Sequence, residues 1–306
     1  MIRKYISSLI FKFIITIIVK PFYKNGLNYH LSRFYMKILS LINSILFFST
    51  LIRGKFKTIN NVKCFSLIFK KNQNTVIIYV HGGGFVSGSS LSHLNIIKKL
   101  SNNYKQNIVS IDYSLSPEKK FPKSIFEIVS VYKYYSKKFK KIYIGGDSAG
   151  SNLVLSSVNY LKSKKINLPN KIFLFSPNLD LSFSMLNNQV NDFYQSNNSN
   201  SSKFYKERIN QYYYDKKFNI NSKYLSPLFS DFTNYPEVLI QVSNTEVLID
   251  ESKYLFQNLL KYKVKADLQI WSNLPHVWHL YSFLPDSKKA LEKVNNFLKN
   301  NLTKGD

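Results

Sequence analysis

Ser148 stands in Gly146-Asp147-Ser148-Ala149-Gly150, a serine with a glycine two residues away on either side. The run "KIYI" before it reads as a strand, and "SNLVLSSVNYL" after it reads as an apolar helix. A serine on so sharp a strand-to-helix turn is held exposed, where its hydroxyl can attack a carbonyl carbon. The glycines are needed because side chains at those positions would collide, and the helix N-terminus favours negative charge nearby. A second cluster, His81-Gly82-Gly83-Gly84-Phe85, follows the apolar run "TVIIYV". Consecutive glycines leave backbone N–H groups free to point at a developing oxyanion. Gly83 and Gly84, with Ala149 beside the serine, are the expected donors. Alone, the glycine run would also suit a phosphate nest, but no Walker lysine follows it. Of ten glycines in the chain, seven lie in or beside these two stretches, which marks both as sites of special backbone geometry.

Elements must position these groups, and the chain supplies them from about residue 60. Strand-like runs fall at 75–80, 107–112, 141–146, 171–177, 237–243 and 266–272, most of them nearly continuous in apolar residues. Helical segments are expected at 92–103, 122–138, 149–163, 250–262 and 286–300. Alternation of this kind predicts an α/β fold with a doubly wound, mostly parallel sheet covered on both faces. Residues 183–222 interrupt the alternation with an Asn/Ser-rich middle, which reads as a loop between aromatic flanks.

The N-terminal 50 residues read differently. Residues 5–19 are apolar but short of the roughly 20 needed to span a bilayer, and Lys12 interrupts them. Lys20-Pro21 follows, where a signal peptide would carry a small-residue cleavage site. A second apolar stretch, 38–52, carries Asn43 and several serines. Helices here are expected to cap a catalytic domain of residues 51–306, with contact to a membrane surface as the alternative.

Composition narrows the partners. The formal charge is +26, from 43 Lys and Arg against 17 Asp and Glu. The lysines are scattered in ones and twos and no nucleic-acid-binding module is visible, so a solvated basic surface is expected. Cys64 is the sole cysteine, which rules out an intrachain disulfide and gives no sign of an oxidising compartment. A cytoplasmic location is expected. No CxxC pair or HExxH helix occurs, so neither metal nor cofactor is expected.

The motifs together resemble the hormone-sensitive-lipase-like esterases of the α/β-hydrolase superfamily. "HGGGF" (81–85), "DYSLSPEKKFP" (112–122) and "GDSAG" (146–150) stand in that family's order, and the similarity continues through "SPNLDLS" (176–182) to "LPHVW" (274–278). It implies an α/β-hydrolase fold whose helical cap comes from the N-terminus and the insert at 183–222. It also implies a Ser-acid-His triad: Ser148 as nucleophile, His276 as base, and Glu246 where the family usually has Asp. Asp250 matches a second acid that caps the next helix. His81 is expected to orient the glycine loop, and His279 to sit in a helix facing elsewhere. Ser114, Ser151 and Asn178 depart from the family's Arg, Gly and aromatic residue; the lost arginine bears on packing behind the glycine loop. The implied activity is hydrolysis of short- to medium-chain acyl esters, with a small-molecule ester as partner. The rival readings are a non-catalytic ligand-binding protein on the same scaffold and a basic membrane-surface or nucleic-acid-binding protein.

Overall fold

The computed structural model describes residues 29–69, 74–101, 105–182, 184–185 and 211–300. The apolar stretch at 5–19 and most of the insert lie outside the described residues.

Two helices, α1 (Tyr29–Leu46) and α2 (Phe48–Arg53), lead into a hairpin of β1 (Lys55–Ile59) and β2 (Val62–Leu67). There follow β3 (Thr75–Val80), α3 (Leu94–Leu100), β4 (Asn107–Asp112), α4 (Lys123–Ser136), β5 (Lys141–Asp147), α5 (Ala149–Ser163) and β6 (Lys171–Phe175). The chain closes with β7 (Glu237–Ser243), α6 (Ile249–Lys261), β8 (Ala266–Trp271) and α7 (Pro285–Lys299). Every expected strand and helix after residue 60 is present; four match at both ends, and the ends of the others differ by no more than three residues.

The hairpin is an addition to the sequence reading. Its first strand, KFKTI, is exposed at four of five positions, so it lacks the apolar run that marked the other strands. The local signal is Asn60-Asn61, both at positive φ (49° and 65°), the conformation a two-residue hairpin turn demands.

The eight strands form one sheet in the order β1-β2-β4-β3-β5-β6-β7-β8. β1, β2 and β4 pair antiparallel, and from β4 to β8 every pair is parallel. Alternate strand residues face opposite layers, as the period of two requires. Val76, Ile78 and Val80 of β3 pack with Ile144, Leu174 and Ile240 against apolar residues of α4, α5 and α6. Ile77 and Tyr79 pack with Phe173, Phe175 and Leu239 against α3 and α7. Burial on both faces accounts for the continuous apolar strands, because every position of β6 is buried.

The parallel register brings the strand ends that carry chemistry to one edge. Val80 is level with Gly146, Asp147 with Phe175, Phe175 with Gln241, and Ser243 with Trp271. Loops leaving the C-terminal ends of β3, β5, β6, β7 and β8 therefore meet along one crevice, where open α/β sheets hold their ligands.

Candidate active site

β5 ends at Asp147 and α5 begins at Ala149, leaving one residue to turn the chain. Ser148 makes that turn at φ 50° and ψ −119°, a conformation that L-residues hold only under constraint. Its N–H donates to Phe175 O at 2.9 Å, fixing the strained residue to the end of β6. The elbow also demands close approach: a Cβ on Gly150 would lie 2.2 Å from Val80 O. That contact is backbone on backbone, so no rotamer change relieves it.

The Ser148 hydroxyl is directed at His276, with Oγ 2.9 Å from Nε2. On the far side of the ring, Nδ1 lies 2.6 Å from Glu246 Oε2. Glu246 is buried in the loop after β7, and its other oxygen accepts Ser176 Oγ and Ser243 N, each at 2.8 Å. The Ser176 hydroxyl also accepts Val277 N at 3.1 Å, so one serine touches both the acid and the backbone beside the histidine. Further bonds join the two loops: Leu274 N to Ser243 Oγ (3.0 Å), Asn273 N to Asn244 Oδ1 (2.8 Å) and Thr245 Oγ1 to Leu274 O (2.8 Å). The ring orientation thus rests on two clamped loops rather than on side-chain packing alone.

The glycine loop is held from behind. Gly83 lies at φ 117° with its carbonyl accepting Val86 N and Ser87 N, and Gly84 lies at φ 61°. Asp147, next to the serine, accepts Gly82 N at 2.9 Å and the Tyr79 hydroxyl at 2.6 Å. Burial pushes the Asp147 carboxyl up, but the neighbouring His93 and the Tyr79 hydroxyl outweigh it and hold the group below the ordinary carboxylate range. The carboxylate therefore stays charged behind the loop. His81 is buried, with Nδ1 2.8 Å from Gly82 O and its ring stacked on Tyr113 at 4.4 Å. Burial and the adjacent His93 lower it to about 4, so it is a neutral brace.

An arginine from elsewhere reaches the region that lacks the family's own. Arg33 of α1 donates to Val86 O (2.8 Å) and Ser116 O (3.0 Å), and pairs with both oxygens of Glu118. Ser114, in the arginine's place, binds Glu127 through its N–H and hydroxyl, each at 2.7 Å. Tyr213, from the described end of the insert, stacks on Phe85 at 3.8 Å.

Two sequence expectations need correction or completion. Asp250 does not cap α6: the N-cap is Leu248, which makes no side-chain bond, and Asp250 sits in the first turn beside Lys253. The residue that ties α6 to the site's loops is Glu251, whose Oε2 accepts Leu179 N (2.6 Å) and Asp180 N (2.9 Å). His279 lies in a 3-10 turn, stacked on Phe175 at 4.0 Å with Nε2 2.9 Å from Gln241 Oε1. Burial lowers it to about 3, and it faces away from Ser148's partner as expected. Sequence reasoning missed Ser176, Arg33 and the bracing role of Asp147. For Asp147 and Ser176 the signal was their place inside "GDSAG" and "SPNLDLS"; for Arg33 none was visible. Asn178 is fully buried and its amide atoms have no partner among the described residues, while its N–H lies 3.4 Å from Ser148 O.

Residues 77–280 match the α/β-hydrolase fold family. An esterase of Acinetobacter venetianus is 29% identical over 229 residues, covering 72% of this chain and 74% of its own. An acetyl-hydrolase of Streptomyces hygroscopicus is 26% identical over 245 residues, covering 75% and 77%. Among solved structures, an esterase of the bacterial hormone-sensitive lipase family superposes with a TM-score of 0.70 at 27% identity, covering 80% of this chain and 83% of that one. The chain belongs to the α/β-hydrolase fold family. Within it, this is a carboxylesterase-type hydrolase of the hormone-sensitive-lipase-like group.

Proposed function

We propose that the protein hydrolyses short- to medium-chain acyl esters through an acyl-enzyme on Ser148. The observation that carries the proposal is the unbroken path from Ser148 Oγ through His276 to the buried Glu246. Ser148 Oγ attacks the acyl carbonyl while His276 Nε2 takes its proton and then returns it to the leaving alcohol. Water, activated by the same nitrogen, releases the acid. Glu246 holds the imidazole with Nδ1 protonated and stabilises the imidazolium that forms. The backbone N–H groups of Gly83, Gly84 and Ala149 receive the oxyanion of each tetrahedral intermediate. Support for the last role comes from the left-handed glycines and from Ala149 opening α5, whose N-terminus adds positive potential.

The N-terminal helices and the insert at 183–222 form the cap in this reading. Contacts of Arg33 with Val86 and Ser116, and of Tyr213 with Phe85, support it because both reach the glycine loop. The experiment is turnover of p-nitrophenyl esters from acetate to laurate, together with labelling by a fluorophosphonate. Preference for acetate to hexanoate with stoichiometric labelling of Ser148 is expected. Labelling without turnover of any ester in the series would overturn the hydrolase assignment.

A further inference from the structure

α1 and α2 are amphipathic in the inverted sense. At about 100° per residue, Ser32, Arg33, Ser40 and Asn43 of α1 share one face, and that face is turned to the protein. Ser32 bonds Ser87 (2.7 Å), Arg33 bonds Val86 O (2.8 Å), Ser40 lies 3.3 Å from Ser89, and Asn43 donates to Ser92 O (2.7 Å). The side chain that α1 buries is Asn43, and α2 buries Thr50. The outward face is apolar: Phe34, Ile38, Leu41, Ile42 and Ile45 on α1, continued by Ile52 on α2. Exposure reaches 68% at Ile45 and 66% at Ile52. A helix that spends its polar side chains on the protein and turns isoleucine, leucine and phenylalanine outward has no apolar partner for that face among the described residues.

We propose that this face docks on an anionic lipid surface. Three observations favour lipid. The stripe runs about 17 Å along α1, from Phe34 to Ile45, and unlike a peptide groove it is convex. Basic residues border it, with Lys37 at its edge and Arg53, Lys55 and Lys57 exposed just beyond, on a chain of net charge +26. The sequence leading into α1 repeats the chemistry, with apolar residues 5–19 framed by Arg3, Lys4 and Lys20. Apolar side chains beside a basic rim are what a surface-lying element offers to anionic lipid. No described helix is long and apolar enough to cross a membrane, which fits attachment in the interfacial plane. The docked face lies one helix diameter, about 10 Å, from loop 86–92, which continues from Gly83 and Gly84. Docking is a property of the helices and does not depend on the catalytic reading.

The test is flotation of the full chain with vesicles of phosphatidylcholine alone or mixed with phosphatidylglycerol. Wild type is expected to float with the mixed vesicles, less so as salt rises. Leu41→Glu/Ile45→Glu should lower that partition by about tenfold or more, with melting temperature and turnover of a soluble acetate ester unchanged. Leu41→Ser/Ile45→Ser, the milder pair, should show an intermediate loss and stands in should the first variant fold poorly. Three results overturn the proposal: no flotation of wild type, undiminished flotation of both variants, or loss of self-association in a variant without any lipid effect. The second would point to residues 5–19 as the attachment, and the third to another copy of the chain as the occupant.

Discussion

Replacing Ser148 by alanine removes the attacking oxygen without adding bulk, so turnover should vanish while the melting temperature holds. Residual turnover above a trace in the purified variant would place the nucleophile elsewhere. The acid is tested by contrast. Glu246→Gln keeps the shape but loses the charge that fixes the tautomer, and kcat should fall by roughly 10³ to 10⁴. Asp250→Asn should leave kcat near wild type, because Asp250 is a half-buried first-turn residue paired with Lys253, while Glu246 holds the His276 ring. Ser176→Ala is the finer test of positioning. It strips one donor from Glu246 and leaves Val277 N without its acceptor. We expect kcat to drop roughly ten- to a hundredfold through misplacement of the ring, with KM little changed. An unchanged kcat in Ser176→Ala would reduce Ser176 to a packing role.

At the scale of elements, the active site depends on how α1 is tied to the loops of the sheet. Arg33 is the tie, since its guanidinium serves two backbone carbonyls near the glycine loop and Glu118. Arg33→Ala should lower stability by about 1–3 kcal/mol, the usual cost of leaving buried acceptors unpaired, and should lower kcat as the loop loosens. The pair also sets a pH dependence. The hydrogen bond from Arg33 holds the exposed Glu118 carboxyl at about 2, below its ordinary value near 4.5. A depressed carboxylate contributes stability above its unfolded value, and that contribution is lost as the pH falls from about 4.5 towards 2. Unfolding curves across pH 2.5–5 should therefore be flatter in the alanine variant. Identical slopes would mean that the pair is too solvent-screened to matter.

For the whole molecule, Glu251 is the residue whose titration reaches global stability. It is fully buried on α6, one oxygen bonded to Leu179 N and Asp180 N and the other without a partner among the described residues. Burial raises its carboxyl to about 8, outweighing the two backbone bonds. Between 4.5 and 8 the folded chain keeps a proton that the unfolded chain releases, so stability falls as the pH rises through that window. The slope from this group approaches about 1.4 kcal/mol per pH unit. Urea titrations at pH 5 and pH 7.5 should show wild type losing stability, and Glu251→Gln, uncharged throughout, losing less. An unchanged slope in the variant would mean that the native carboxyl ionises normally.

The sequence by itself determined the fold class and the backbone geometry of the elbow, because those rest on local rules. Apolar runs bounded by helical segments specify a parallel sheet, and Gly146 and Gly150 flank Ser148 because a backbone passing that close tolerates no side chain. Glu246 and His276 were legible through their place in a family pattern. Their contact is a tertiary matter, since 30 residues separate them and only the register of β7 on β8 brings their loops together. The contacts of Ser176, Arg33 and Glu251 were not legible for the same reason. A serine, an arginine and a glutamate are ordinary surface residues until another part of the chain supplies their partners. The inverted face of α1 was hidden differently: serines and an asparagine among hydrophobes show that a helix is amphipathic, but not which side meets the protein. The fold decided that, by offering loop 86–92 as a polar bed for the serine and asparagine side and leaving the apolar side outward.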